Sequence, residues 1–381
     1  MSLYHIVFFG LLLAAVAEHY QKKTPKWLFA VAFAALTAMI CLRFGQGTDY
    51  FSYASIYHSL PANPFAALDA KRHTEPGWKF LCAFCKMLGV PYPIFILILS
   101  LGMMLLFLRF LNRYCDDRKL LALVIFYHTL YLSYFMSILR QALVIAVFLG
   151  ALLPWLQNRK YIWYYLITVL LMTIHSVSAI LLLVPLLRLV NPKFKYVVAF
   201  VAGGFLLGGL FSVIDIGLIL KNFIKIPYFS ESEISPLALL ERIITFAVVA
   251  FCCYLYFRGK EIGKQDWVYF IFKVYAVGIC LYGVLMWSPL ISSRTVYILK
   301  VLEILLICTC ISKCRKISVV VLSYFLLLSS VLYVKNVDSY LEQGQYKNAG
   351  IVNYPYVTIF DEEEILNYRE DTINYPFEKD K

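Results

Sequence analysis

Four short stretches place residues of anion-binding or acid–base type where apolar runs end. The first is Arg43-Phe44-Gly45-Gln46-Gly47-Thr48-Asp49-Tyr50-Phe51-Ser52-Tyr53. Its two glycines permit a tight turn and close approach of backbone to a ligand. Arg43 offers a planar fork to phosphate or carboxylate, and Asp49 suits an acceptor hydroxyl or an ion pair with Arg43. Tyr50, Tyr53 and Tyr57 recur at helical spacing, and their faces suit sugar rings. The plainer reading is a helix capped by Asp49 with tyrosines as interface anchors. The second stretch is Ser137-Ile138-Leu139-Arg140-Gln141, where the free N–H groups of a starting helix favour phosphate. Its alternative is an arginine that merely reaches for the interface. The third is Thr173-Ile174-His175-Ser176-Val177-Ser178, whose histidine is either a general base or a satisfied junction residue. The fourth is Ser292-Ser293-Arg294-Thr295, with Tyr297, Lys300 and Glu303 farther along one expected helix. Lys300–Glu303, or Lys273–Glu303, also reads as a purely structural pair.

The elements that must position these residues are apolar helices. Of 381 residues, 61% are hydrophobic and 15% charged, well away from a soluble domain. The pattern predicts an all-α, polytopic integral membrane bundle of about 12 transmembrane helices. The expected spans are Leu3–Tyr20, Lys26–Leu42, Tyr92–Leu111, Lys119–Met136, Leu139–Leu156, Tyr161–His175, Val177–Val190, Tyr196–Ser212, Leu237–Phe257, Trp267–Trp287, Arg294–Ser312 and Ile317–Val334. Tyr161–His175 and Val177–Val190 are short for a core of roughly 30 Å. Trp78–Leu88 is shorter still and reads as a re-entrant or interfacial helix. The Gly203-Gly204 and Gly208-Gly209 pairs point to close helix packing.

Charge then sets the orientation. Six short basic loops, around Lys23, Arg118, Arg159, Lys193, Lys260 and Arg315, fall on one face if Trp78–Leu88 does not cross. That face is expected to be cytoplasmic, with both termini outside. No Lys or Arg precedes the first apolar run, so the first helix is expected to be retained rather than cleaved. Residues 1–334 read as one transmembrane domain with outer-face loops at 43–91 and 213–236, and 335–381 as an extracytoplasmic tail. Arg43, Asp49, Arg140, Gln141, His175 and Arg294 then share the outer face.

The net charge of +12 lies in those short loops, with no nucleic-acid-binding pattern among them. Cys82-x-x-Cys85 lacks the second ligand pair a zinc site needs. No outer-face Asp-x-Asp, phosphate loop or hydrolase elbow occurs, so neither a metal nor any other cofactor is expected.

Arg43-x-Gly-x-Gly-Thr-Asp-Tyr, Glu75-Pro76-Gly77-Trp78, Leu139-Arg140-Gln141, His175-Ser176-x-Ser178-Ala179 and Asn353-Tyr354-Pro355-Tyr356 together resemble the EpsG family over nearly the whole chain. The resemblance implies a Wzy-type polymerase of bacterial exopolysaccharide, capsule or O-antigen in the cytoplasmic membrane. Its substrates are oligosaccharide repeat units on undecaprenyl diphosphate at the outer leaflet. A flippase and a chain-length regulator are implied partners. On that footing Arg43, Arg140 and Arg294, with Gln141, would hold the lipid diphosphate. Tyr50 and Tyr53 would line the sugar path, and His175 or Asp49 would handle the acceptor hydroxyl. A lipid-linked oligosaccharide flippase and an O-antigen ligase are the rival readings.

Overall fold

A computed structural model describes residues 2–72, 74–214, 235–263, 266–313, 317–370, 372 and 375. It is 76% helix, and the described residues contain no strand. Most of the expected outer loop 213–236 and the last six residues lie outside the described residues. The helices are α1 (Leu3–Gln21), α2 (Lys26–Leu42), α3 (Tyr50–Ser59), α4 (Pro64–Leu68), α5 (Pro76–Met87), α6 (Tyr92–Tyr114), α7 (Lys119–Phe126), α8 (Leu139–Val147), α9 (Leu153–Gln157) and α10 (Tyr161–Ile174). They continue with α11 (Phe194–Val213), α12 (Pro236–Phe257), α13 (Trp267–Val284), α14 (Pro289–Lys300), α15 (Glu303–Lys313) and α16 (Ser318–Gln343).

Among the described residues, seven helical stretches are long and apolar enough to cross a membrane: α1, α6, Leu139–Gln157, α11, α12, α13 and α16. Shorter apolar helices occupy Lys26–Leu42, Lys119–Phe135, Tyr161–Ile174 and Ser176–Arg188. This is a polytopic helical membrane protein.

The winding departs from simple α-helix at four expected spans. α7 continues as a π-helix over Tyr127–Phe135, and a second π-segment, Phe148–Leu152, joins α8 to α9. Ser176–Arg188 is a 3-10 helix. At about 2.0 Å per residue it reaches farther than an α-helix of the same count, which offsets its shortness. The fourth departure is at Arg294–Ser312, expected as one helix. The structure divides it into α14, which starts earlier at Pro289, and α15. At the join, Leu302 N–H donates to the Leu299 carbonyl at 3.2 Å, a tight i→i−3 turn. Lys300 and Glu303 therefore belong to two helices, yet their Nζ–Oε1 distance is 2.6 Å.

Contacts divide the chain into two units. The first comprises Met1–Trp155, Val169–Ser176 and Leu322–Lys381; the second, Leu156–Thr168 and Val177–Val321.

In the first unit, α1 packs on α7 and α2 on α6, and α6 runs against the π-wound end of the α8 stretch. Gly150 lets that last pair meet, because a Cβ there would stand 2.5 Å from the Leu106 carbonyl oxygen. The segment after α16 folds back onto the loop after α2. Phe44 N–H donates to the Val357 carbonyl at 2.9 Å, and Ile359 N–H to the Leu42 carbonyl at 2.9 Å. Arg369 is buried and donates to the carbonyls of Gly45 (2.8 Å) and Gly47 (3.1 Å). Its guanidinium lies between the rings of Phe51 and Tyr346. Gly47 has φ +96°, and a Cβ there would meet the Met136 carbonyl. Tyr354 is fully buried against Tyr4 and Tyr346.

The second unit is built on α11 against α13, with α14 on α13 and α15 on α12. One glycine of each sequence pair makes the first of these contacts. A Cβ on Gly204 would meet Cys280, and one on Gly208 would stand 1.8 Å from the Gly283 carbonyl, whereas Gly203 and Gly209 face open space.

Gly208→Ala should therefore destabilise the protein by about 1–3 kcal/mol through overpacking. Gly209→Ala, one residue away, should leave thermal unfolding in detergent unchanged. Equal behaviour of the two variants would contradict this packing.

Candidate functional site

The Arg43 motif folds as a loop whose polar groups turn inward. Arg43 is 1% exposed, and its guanidinium donates to the Ile40 carbonyl, to Ser100 Oγ at 3.1 Å and to the Phe135 carbonyl at 3.4 Å. Gln46 Nε2 donates to the carbonyls of Pro355 and Val357, and its Oε1 accepts from the Tyr4 hydroxyl. Tyr50 is buried against Phe44 and Tyr92, and its carbonyl accepts the Tyr92 hydroxyl at 2.8 Å. Asp49 stands half-buried at the start of α3 without a side-chain cap bond, its Oδ1 accepting from Thr48 at 3.3 Å. It lies within electrostatic reach of Tyr53 and Arg140.

Arg140 and His175, 35 positions apart, meet at one carboxylate. That carboxylate is Glu75, which opens α5 through the sequence Glu75-Pro76-Gly77-Trp78. Pro76 suits the first turn, where its missing N–H costs nothing. Gly77 has no room for a side chain, since a Cβ would stand 2.2 Å from Thr173 Oγ1. Trp78 is fully buried between Tyr53 (5.5 Å) and Phe95 (5.9 Å). These three residues press the start of α5 against the end of α10 and so deliver Glu75 to His175.

At the meeting point, Glu75 Oε1 lies 3.2 Å from His175 Nδ1 and accepts the Ser176 N–H at 3.3 Å. Glu75 Oε2 pairs with Arg140, whose same Nη1 also donates to Thr74 Oγ1 at 3.0 Å. The Arg140 guanidinium sits 5.9 Å from the Tyr53 ring centroid. Burial alone would push the Glu75 carboxyl up. The hydrogen bond from His175 and the Arg140 charge outweigh it and hold the group at about 2. The Tyr53 phenol moves up, because burial outweighs the neighbouring guanidinium. His175 Nε2 and Arg140 Nε are buried and meet no hydrogen-bond partner among the described residues. Gln141, the next residue on α8, is fully buried.

In the second unit Arg294 is half-buried on α14. Lys273, weighed above as a partner for Glu303, instead donates to the carbonyls of Leu187 (2.8 Å) and Val190 (2.5 Å). It neutralises the end of the 3-10 helix, as a cation at a helix C-terminus does. Glu303 takes Lys300, with Glu241 3.8 Å from the same Nζ. Arg242 pairs with Glu241 and donates to the Tyr297 hydroxyl at 2.5 Å, its guanidinium lying over the rings of Tyr282 and Tyr297.

Two polar groups in this description were not singled out as site candidates from sequence. Glu75 appeared only as a motif letter. Arg242 stands beside Glu241 within an expected apolar span, and a charge there is signal enough.

Chemically, the first unit holds a guanidinium at a helix start, a carboxylate and an imidazole with one nitrogen unoccupied. Such an arrangement can take an anion beside a proton acceptor. The EpsG family model matches residues 26–356, and the chain belongs to the EpsG family. This makes it a membrane protein of polysaccharide biosynthesis. No curated protein and no solved structure matches it.

The depressed Glu75 pKa fixes a sign. A carboxyl lowered from 4.5 to about 2 stabilises the fold fully above its unfolded value and ceases to do so as pH falls through about 2. The stability gap between wild type and Glu75→Gln should be widest at pH 5 and above, on the order of the usual carboxylate value, and close in stronger acid. Thermal unfolding in detergent across that range measures it, and a gap that widens in acid would refute the assignment.

Proposed function

We propose that this protein is a Wzy-type polymerase. It joins undecaprenyl-diphosphate-linked oligosaccharide repeat units at the outer leaflet of the bacterial cytoplasmic membrane. The observation that carries the reading is the convergence of Arg140 and His175 on Glu75, with His175 Nε2 and Arg140 Nε left for a ligand.

In the proposed step an acceptor sugar hydroxyl oxygen attacks the anomeric carbon of the growing chain. The bond from that carbon to the lipid diphosphate breaks, and the diphosphate leaves with the electron pair. His175 Nε2 takes the hydroxyl proton, and Asp49 is the second candidate for that role. Arg140 holds the departing diphosphate at the start of α8, where helix N–H groups add to its charge. Tyr53, buried beside Trp78 and Arg140, braces that guanidinium. Gln141 supports this end of α8. Arg43 and Tyr50 serve by shaping the loop that carries Asp49: the Arg43 guanidinium bonds within the protein, and the Tyr50 ring is buried against Phe44 and Tyr92. Arg294 is assigned to a phosphate of the lipid-linked units.

The orientation belongs to the same proposal: twelve crossings, six basic loops inside, the site and both termini outside. Val352 is 72% exposed and Arg159 is exposed, so cysteines at these positions are open to reagent and test the two proposed faces. On a cysteine-free background, an impermeant thiol reagent should label Val352→Cys in intact cells and spare Arg159→Cys. The reverse pattern would invert the topology.

A second test separates this reading from its rivals. Arg140→Lys keeps the charge but loses the fork. It should abolish chains of many units, by about 100-fold or more, while single units still reach the outer leaflet. Units held on the inner leaflet would indicate a flippase instead. Long lipid-linked chains that never reach their final acceptor would indicate a ligase.

A further inference from the structure

We propose that Glu75 is the positioning residue of this site, one carboxylate that sets both the tautomer of His175 and the orientation of Arg140. The inference rests on the polymerase reading for its kinetic consequence and on geometry alone for the rest.

The geometry divides the carboxylate's work between its two oxygens. Oε1 faces His175 Nδ1 at 3.2 Å and accepts the Ser176 N–H at 3.3 Å, so it grips the imidazole and the backbone that carries it. Oε2 takes Arg140 Nη1, and Thr74 Oγ1 steadies the same nitrogen at 3.0 Å. An ionised carboxylate only accepts hydrogen bonds. The hydrogen in the His175 contact must therefore sit on Nδ1, which leaves the lone pair of the neutral ring on Nε2. That is the nitrogen with no partner among the described residues, and it belongs to a residue only 6% exposed. The same logic orients catalytic histidines elsewhere, where a wrong tautomer removes the base although the ring stays in place.

The motif around Glu75 serves this placement. Gly77 allows α5 to approach Thr173, two residues before His175, closer than any side chain would permit. Trp78 fixes the other side of α5 against Tyr53, which in turn neighbours Arg140. Glu75 thus reaches two regions that lie 65 and 100 positions from it in the sequence.

Glutamine keeps the shape of Glu75 and loses its function. Its amide has one acceptor and one donor group, so it cannot accept from His175, Ser176 and Arg140 together. If the amide nitrogen faces Nδ1, the ring must accept there and carry its proton on Nε2.

The test uses the full chain labelled with 15N-histidine in lipid nanodiscs. The His175 resonances are identified by their loss in His175→Asn. Long-range 15N–1H correlations at neutral pH should show the Nδ1–H tautomer in wild type and a shift toward Nε2–H in Glu75→Gln. Wild type in the Nε2–H form overturns the proposal without any variant, and so does a tautomer unchanged by Glu75→Gln. The second readout is turnover of the lipid-linked unit extracted from an Arg140→Lys strain. For Glu75→Gln, kcat should fall about 100-fold, the order expected for a lost general base, with a much smaller change in KM. A rise in KM with kcat intact would overturn the positioning role. A tautomer switch with turnover untouched would instead support the positioning of the ring and remove His175, and with it the polymerase mechanism, from the reaction.

Discussion

Hydrocarbon offers a polar group nothing to bond to, so inside a membrane bundle each donor and acceptor must find its partner in the chain itself. Much of the unusual winding here answers that demand. The π-helical stretch after α7 presents carbonyls to neighbouring side chains. Asn336 Nδ2 reaches the His128 carbonyl at 2.8 Å, and Ser137 and Tyr340 both reach that of Leu132. At the start of α7 the carboxylate of Glu18, from another helix, receives the N–H groups of Leu120 and Leu121 at 2.9 and 3.0 Å. Tyr131 and Tyr57 turn their hydroxyls onto the carbonyls of Leu36 and Val90.

The same constraint separates two arginines that look alike in sequence. Arg43 spends its terminal nitrogens on two backbone carbonyls and a serine, groups fixed by the fold. It works as a strut. Arg140 faces a carboxylate and a threonine, and beside it an imidazole nitrogen is left open. An anion offering a better pair of oxygens than Glu75 can compete for that guanidinium, because charge-assisted forks are strong but exchangeable. Backbone carbonyls around Arg43 are not displaced without unwinding helices.

The apolar periodicity of the sequence carried the helical, polytopic class, and among the described residues seven stretches have the length and composition of a span. It did not reveal where a span winds as π or 3-10, because apolar composition does not distinguish one helical winding from another. The break between Lys300 and Glu303 was also hidden. An i,i+3 charge pair fits a continuous helix and a tight turn equally well. Arg140 and His175 were legible as candidates because each sits at a helix junction with polar neighbours. Their common partner was not: Glu75 lies in a loop far from both, and only the close fit of Gly77 on Thr173 makes the meeting possible. The tail was the least legible part. Its acidic run, Asp361 to Glu364, reads as surface, while Arg369 just beyond it reaches into the Gly45–Gly47 turn.

That reach has a consequence for how the protein is made. The carbonyls of Gly45 and Gly47 wait for a side chain 324 and 322 positions later in the chain. At roughly 5–20 residues per second, the ribosome needs on the order of tens of seconds to supply it. Throughout that interval the loop between α2 and α3 lacks both of these bonds. The first unit closes only after the last helix has been threaded, so its assembly is a post-insertional event. Quality control that samples the nascent protein would meet an open amino-terminal half whose completion depends on the carboxyl-terminal one.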